Sequence, residues 1–265
     1  MRKIHPLQAI QAGWIRYSNK AGMYTSFTIM TLLISLVLTA VASGIGNIFS
    51  FNSFIQGTVV AILVGVVGGV INIGYAHFAA KDESGVDLEF GDFFIGFSEN
   101  VKSLVLVLIA TVLISQISAL TVPQELQNLN LEEENQIQNF EELTMIFEEI
   151  GVVFWDNIGS ILSFLAIQLF FGIVLMFAPF AASLEKQDAI QALRSSIGSA
   201  LPNFFNILIA YLMIVLAVAI FAFLLSLLGT AGLIILVISS FIGLFVFIPV
   251  LNLVAYDMFT QLKDN

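Results

Sequence analysis

The sequence contains no cysteine, only two histidines, and charged residues at 11% of its 265 positions. Without cysteine there are no disulfides, no thiol nucleophile and no cysteine metal ligand. Two histidines are too few for an iron site built from several imidazoles. Typical globular proteins are about 25% charged, so this composition excludes an ordinary soluble fold.

Apolar residues, at 58% of the chain, dominate the sequence and are concentrated in long runs. About 20 consecutive apolar residues are enough to cross the hydrocarbon core of a bilayer. The sequence therefore predicts an all-α membrane protein, a single polytopic domain over residues 1–265. Its six transmembrane helices are expected at roughly 24–45, 55–80, 101–121, 152–183, 203–228 and 232–257. The fourth is longer than a bilayer requires and should tilt or protrude.

The tetrad Ala-Ile-Gln-Ala occurs twice, at 9–12 and at 189–192 within the polar elbow 185–200. Both copies lie in amphipathic segments that precede a long apolar run, and 86–100 is a third segment of this kind. This pattern predicts three repeats, each an amphipathic in-plane helix followed by a transmembrane hairpin. The second helix of each hairpin carries a matching residue near its end: Gly74, Pro179 and Pro249.

Basic residues provide the orientation, although the net charge is −10. With six spans, every lysine and arginine lies on one side: Arg2, Lys3, Arg16, Lys20, Lys81, Lys102, Lys186, Arg194 and Lys263. The positive-inside rule then predicts that both termini and all three elbows are cytoplasmic. We expect a multi-pass membrane protein, with the lipid bilayer as its environment and no nucleic-acid partner.

The segment 122–150 is predicted to be an acidic extracytoplasmic insertion. It carries eight glutamates and no basic residue, and acidic residues contribute little to orientation. The simpler interpretation is a solvated surface helix. The alternative is a site for cations or for a membrane or periplasmic partner protein with a basic surface.

Few residues offer chemistry, and we expect no catalytic, cofactor or metal site because no known motif for one is present. The candidate polar positions within the spans are Asn72, His77, Gln116, Gln168 and Asn252. Hydrogen bonding between helices is the simpler role for such residues, and Gln168 is the best functional candidate because it lies deepest. His77 is expected to be an interfacial side chain. Pro179 and Pro249 are expected to kink their helices, which either opens a cavity or only shapes the helix end.

Small residues recur every four positions in the second span, at Gly57, Ala61, Gly65 and Gly69. Such a ridge allows a neighbouring helix to approach closely. The first span carries a matching face of small hydroxyl residues at Thr28, Thr31, Ser35 and Thr39. We expect both features to serve packing within the bundle.

The segments 91–97 (GDFFIGF) and 177–179 (FAP), followed by 188–196 (DAIQALRSS), resemble a loose group of bacterial six-helix membrane proteins of unknown function. The group includes the membrane domain attached to some glycerophosphodiester phosphodiesterases. The resemblance implies the fold but transfers no catalytic residue, and the soluble phosphodiesterase domain is absent. Some similar proteins carry a carotene-cleaving label, against which the low histidine count argues.

These observations favour a non-enzymatic scaffold or regulatory membrane component. The alternative is a transporter or lipid-handling protein with its site at the interface between the repeats, and a membrane enzyme ranks last.

Overall fold

The computed structural model describes residues 3–48, 53–119 and 151–263. Their long helices are α1 (Pro6–Asn19), α2 (Ala21–Ile48), α3 (Ser53–Glu83), α4 (Val101–Ala119), α5 (Ile158–Leu175), α6 (Ala178–Leu184), α7 (Ala189–Ala200), α8 (Phe204–Ser226) and α9 (Gly229–Gln261). A 3₁₀ helix, η1 (Phe90–Phe97), precedes α4, a short one (Leu201–Asn203) precedes α8, and residues 151–156 are also helical.

The prediction of an all-helical chain with long apolar helices is confirmed for these residues. Five helices are long and apolar enough to cross a membrane, or six if η1 and α4, which are bent by 75°, count as one span. The predicted acidic insertion 122–150 lies outside the described residues. The structure divides into unit 1 (Met1–Val112 and Ile173–Asn265) and unit 2 (Leu113–Gly172).

In unit 1, the amphipathic helix α1 packs mainly against α9. Its buried residues Ala9, Gly13 and Tyr17 recur every four positions and form one stripe. A Cβ atom at Gly13 would lie 2.9 Å from the backbone nitrogen of Val254, so only glycine permits this approach. The α1 stripe therefore fixes the first helix of the chain to the last one.

The ends of these helices follow local sequence signals. The carboxylate of Asp188 accepts a 3.0 Å hydrogen bond from the backbone N–H of Gln191 and so caps the N-terminus of α7. The chain leaves α3 through Gly85, whose φ of +69° suits glycine. The Asp188 cap and the left-handed Gly85 thus mark helix ends that hydropathy alone does not locate.

The segment 86–100, expected to be an amphipathic in-plane helix, contains the 3₁₀ helix η1, which packs against α3. Phe93 at its centre is fully buried, and its ring stacks on Phe27 and Phe78 with centroids 4.1 and 4.2 Å away. A Cβ atom at Gly74 would lie 2.0 Å from the Phe93 carbonyl oxygen. The missing side chain at Gly74 is what lets η1 lie directly on α3.

The small-residue ridge of α3 packs differently from the expected pairing with α2. Cβ atoms at Gly65 and Gly69 would lie 2.8 Å from Val112 and 2.5 Å from Leu108, both in α4. From α2, Thr28 instead hydrogen-bonds the hydroxyl of Tyr75, with 2.7 Å between the oxygens. Gly65 and Gly69 of the ridge thus contact side chains of the third span, whereas Gly57 is exposed and no atom lies within 4 Å of its Cβ position.

The two tetrads do not occupy matching environments. In α1 the buried stripe begins at Ala9, the first residue of its tetrad, whereas in α7 it begins at Ala192, the last residue of the second copy. Alignment of the tetrads therefore offsets the two buried faces by three residues.

Candidate functional site

A cavity of about 180 Å³ lies inside unit 1, among helices that are distant in the sequence. Its polar wall residues are Asn72 from α3, Tyr211 from α8 and Asn252 from α9. The remaining wall is apolar: Gly69, Ile73, Leu108, Met176, Pro179, Phe180 and Ala255. The structure thus brings two of the predicted polar positions, Asn72 and Asn252, to one site.

The polar groups of this cavity are not fully paired. The side-chain oxygen of Asn72 is buried and has no hydrogen-bond partner. Asn252 donates a 2.9 Å bond from Nδ2 to the Ile248 carbonyl, while the Tyr211 hydroxyl makes no hydrogen bond within the described part of the chain. Leaving a buried acceptor unpaired costs about 1–3 kcal/mol. Asn72 therefore contributes an unsatisfied acceptor beside the cavity that it lines.

The interruption between α5 and α6 shapes one side of the cavity. The fourth span was predicted over 152–183 with a kink at Pro179. In the structure α5 ends at Leu175 and α6 begins at Ala178, with Pro179 in the first turn of α6. At the break the hydroxyl of Ser196 accepts from the Phe177 N–H at 3.2 Å and donates to the Val174 carbonyl at 2.8 Å. Pro179 has no N–H to donate to the Leu175 carbonyl, and the serine of α7 pairs two other backbone groups at the break.

Pro249 lies inside α9, which the structure describes as one helix from Gly229 to Gln261. Asn252 follows it by three residues and reaches back to the Ile248 carbonyl at the proline itself. Pro179 is part of the cavity wall, and Pro249 lies three residues before Asn252, which also lines the cavity.

A cluster of charged side chains marks the end of unit 1 nearest the cavity. Arg16 forms ion pairs with Glu83 at the end of α3 and, at 3.5 Å, with Asp257 of α9. Burial disfavours the Arg16 cation, but attraction to Glu83 and Asp257 outweighs it and raises the pKa of the guanidinium. Tyr256 donates a 2.8 Å hydrogen bond to Glu83. We call Arg16, Glu83, Tyr256 and Asp257 the Arg16 cluster.

Further ion pairs join the elements around this end. Lys81 of α3 donates to both carboxylate oxygens of Asp92 in η1, at 2.8 and 2.9 Å. Lys263 pairs with Glu185 at 2.8 Å. Asn72 precedes Lys81 by nine residues, about 14 Å at a helical rise of about 1.5 Å per residue. The cavity thus lies inside the apolar part of the bundle, one to three helical turns from its charged end.

The other predicted positions lie elsewhere. His77 contacts Ser183 through Nε2, with 2.7 Å to the hydroxyl, and Ser183 is fully buried. The pair joins α3 and α6. In unit 2, Gln168 donates a 3.1 Å bond to the Ser115 carbonyl, an interhelical hydrogen bond of the simpler kind considered above. Gln116 is half-buried in the same unit.

Tyr211 was missed by the sequence reasoning. Its hydroxyl is the third polar group of the cavity, yet tyrosine at the start of an apolar span is typical of the membrane interface. Its spacing offered no signal, because only the tertiary contact between α8 and α9 brings it beside Asn252.

No group of three or more potential metal ligands occurs among residues 3–48, 53–119 and 151–263. Family models, curated proteins and solved structures were compared with the chain, and none matches it. The likeness to bacterial six-helix membrane proteins therefore stays a prediction from the sequence, and the cavity must be interpreted from its own chemistry.

Proposed function

We propose that this protein is a lipid-handling membrane protein that binds an uncharged, membrane-soluble molecule in the cavity between α3, α6, α8 and α9. The observation that carries the proposal is the unpaired, buried oxygen of Asn72 in a cavity that Asn252 and Tyr211 also line. Small-molecule sites are typically apolar cavities with a few convergent polar groups. This cavity has that composition.

The chemistry of the wall favours an uncharged ligand. Of the residues that line the cavity, none carries a charge or a titratable carboxyl, amine or imidazole. A charge in such surroundings would be strongly disfavoured without a partner. Carboxamide and phenol groups both donate and accept hydrogen bonds, so they suit hydroxyl, amide or ester groups.

The position of the cavity favours lipid handling over transport across the membrane. Asn252 lies nine residues before the end of α9 and 23 residues after its start, and Tyr211 lies in the first third of α8. Asn252 and Tyr211 therefore lie toward the charged end of the bundle, whereas transporter sites lie near the bilayer midplane. Asn72, about 14 Å from Lys81 along α3, lies deeper than these two residues. Entry from one leaflet is the simpler route.

The predicted threefold repeat supports the proposal, because it gives the cavity a position at the interface between the repeats. Gly74, Pro179 and Pro249 are the matching positions in the second helices of the three predicted hairpins. Three residues of the cavity wall lie at or near these positions: Asn72, Pro179 and Asn252. A site where these three helices meet would be a site at the repeat interface. The buried faces of α1 and α7 are offset by three residues when the tetrads are aligned. This offset argues against equivalence of the tetrads residue by residue, but not against the threefold repeat itself.

We place the protein in the bacterial cytoplasmic membrane with its charged end in the cytoplasm. The support is that Arg16, Lys81, Lys186 and Lys263 all form ion pairs with residues of neighbouring elements at one end of unit 1. Together with the positive-inside rule, this supports the proposal that both termini are cytoplasmic. The scaffold alternative depends on the acidic segment 122–150, outside the described residues, so the cavity carries the better supported function.

The test is retention of a small molecule by the purified protein. Wild type and the variants Asn72→Leu and Asn252→Leu would be purified in mild detergent, extracted, and analysed by mass spectrometry for uncharged lipids. Asn206→Leu is the matched control, because Asn206 lies in α8 but does not line the cavity. We expect a stoichiometric uncharged molecule in wild type and Asn206→Leu and its loss in the other two. Equal retention in all four proteins, or none in wild type, would overturn the proposal.

A further inference from the structure

A second, purely apolar space adjoins the polar cavity. It is a groove of about 420 Å³ between α8 and α9, and no polar surface contributes to it. We call it the α8 groove. Tyr211 belongs to the walls of both spaces. On α9, Leu251 lines the groove and the next residue, Asn252, lines the cavity. The two spaces therefore adjoin each other at Tyr211 and at Leu251–Asn252.

The α8 groove runs lengthwise along α8. Its α8 wall consists of Tyr211, Ile214, Val215, Val218 and Ala219, residues that recur at the three- and four-residue spacing of one helix face. From Tyr211 to Ala219 this stripe extends about 12 Å along the helix. Because α8 begins at the charged end of the bundle, the stripe leads from the polar cavity away from that end.

Along α9 the groove also runs away from the charged end of the bundle. Phe247 lines the groove, and Leu251 lies one turn closer to the charged end and beside the cavity. A molecule that occupies both spaces therefore has its polar part near the charged end and its apolar part deeper in the bundle. Lipids of the corresponding leaflet have the same orientation.

The groove is also open on its outer side. Val215 is 62% exposed, and Val218 and Phe247 are about 40% exposed, although every lining side chain except Tyr211 is aliphatic or aromatic hydrocarbon. In a membrane such a surface contacts acyl chains. Exposure along a surface that leads to a polar cavity gives a hydrocarbon chain a lateral route from the bilayer.

We propose that the ligand is a single-chain lipid with an uncharged hydroxyl- or amide-bearing head group. The head group hydrogen-bonds with Asn72, Asn252 and Tyr211 in the cavity, and its hydrocarbon chain lies in the α8 groove. This inference rests on the proposed function and specifies the class of ligand. A head group of a few non-hydrogen atoms suits 180 Å³, whereas the charged phosphate of a phospholipid has no cationic partner in the wall.

A larger apolar groove of about 580 Å³ lies on the other side of the α8–α9 contact, where Ile10 and Trp14 of α1 contribute to the wall. It shares Ile214, Val218 and Phe247 with the α8 groove but contains neither Asn72 nor Tyr211. Ala217 lines only this second groove, and Ala219 lines only the α8 groove. Two exposed alanines of one helix thus provide a matched pair of positions.

The experiment measures binding of 1-monooleoylglycerol and of its short-chain counterpart monobutyrylglycerol to the full chain in phosphatidylcholine nanodiscs. The variants are Ala219→Trp, which fills the α8 groove, Ala217→Trp, which fills the other groove, and Asn72→Leu. We expect Ala219→Trp to weaken binding of monooleoylglycerol at least tenfold and to leave monobutyrylglycerol unchanged. Ala217→Trp should change neither, and Asn72→Leu should weaken both.

The outcomes separate the two proposals. If Asn72→Leu weakens binding while Ala219→Trp has no effect, the cavity binds a polar group but the chain lies elsewhere, and this inference is overturned. An effect of Ala217→Trp alone would assign the chain to the second groove and overturn it equally. If wild type binds neither probe, both the inference and the proposed ligand chemistry fail. Val215→Trp, at a second exposed position of the α8 groove, should reproduce Ala219→Trp and guards against a local folding defect.

Discussion

The guanidinium of Arg16 in α1 lies 3.5 Å from the carboxylate of Asp257 in α9, although 241 positions separate the two residues. The same guanidinium pairs with Glu83 at the end of α3. One cation thus connects three helices, and its side chain is only 20% exposed. Without it, two carboxylates would face each other in a partly buried position.

Arg16→Met is therefore expected to destabilise the protein by about 2 kcal/mol. Loss of one member of a buried pair costs about 3–5 kcal/mol, and the exposure of Glu83 reduces that value here. The measurement is denaturant unfolding in detergent. Arg194→Met is the control, because Arg194 is exposed and forms no ion pair with the described residues. Adding Asp257→Asn to Arg16→Met should restore part of the loss; a further loss of stability would contradict this account.

Gly74→Ala is expected to displace η1 from α3 and to lower stability by about 1–3 kcal/mol, since overpacking costs that much. The new Cβ atom would lie 2.0 Å from the Phe93 carbonyl, and backbone cannot move aside as a flexible side chain can. The control is Gly68→Ala on the same helix, where no atom lies within 4 Å. It should be neutral or stabilising by up to about 1 kcal/mol. Equal melting temperatures for the two variants would refute the close approach.

Ser196→Ala should destabilise the interruption between α5 and α6 by about 1–3 kcal/mol. It leaves the Phe177 N–H and the Val174 carbonyl without their side-chain partner in a buried place. Hydrogen exchange at Phe177 should accelerate in this variant. Ser195→Ala, one residue earlier on α7, should leave exchange unchanged, and acceleration in both would point to general loosening of α7.

The absence of cysteine allows the proposed orientation to be tested without background labelling. Gln191→Cys lies in exposed surface of α7, and Leu228→Cys lies at the turn between α8 and α9. A membrane-impermeant maleimide should label Leu228→Cys in intact cells and Gln191→Cys only after permeabilisation, since basic elbows stay in the cytoplasm. The reverse pattern would invert the topology.

Hydropathy predicts the helices well because each span depends on its own residues. The long apolar helices and the capped elbow helix α7 follow from local signals such as Asp188 before Ala189. The close packing of η1 on α3 was not predictable, because it depends on the contact of Phe93 with Gly74 in another helix.

The candidate site was only half predictable. Asn72 and Asn252 were identified as polar residues within apolar runs, but nothing in the sequence indicated that they would share a cavity. Gln168 was ranked above them by depth, whereas in the structure it hydrogen-bonds a neighbouring helix. The depth of a polar residue within a span indicates how costly its burial is. It does not indicate whether the side chain finds a hydrogen-bond partner in the folded protein.

The contact of α1 with α9 has a consequence for biosynthesis. The N–H groups of Ile4 and His5, just before α1, donate to Asn203 and Gln261, and Gly13 packs on Val254. These partners are translated at least 199 residues later, whereas Glu83, which pairs with Arg16, is translated earlier. While the ribosome completes the hairpins, α1 must wait at the membrane surface, where its exposed Leu7 and Trp14 can rest among lipid head groups. Docking of α1 on α9 therefore requires that α9 has been translated, and a nascent chain truncated before α9 would lack this contact.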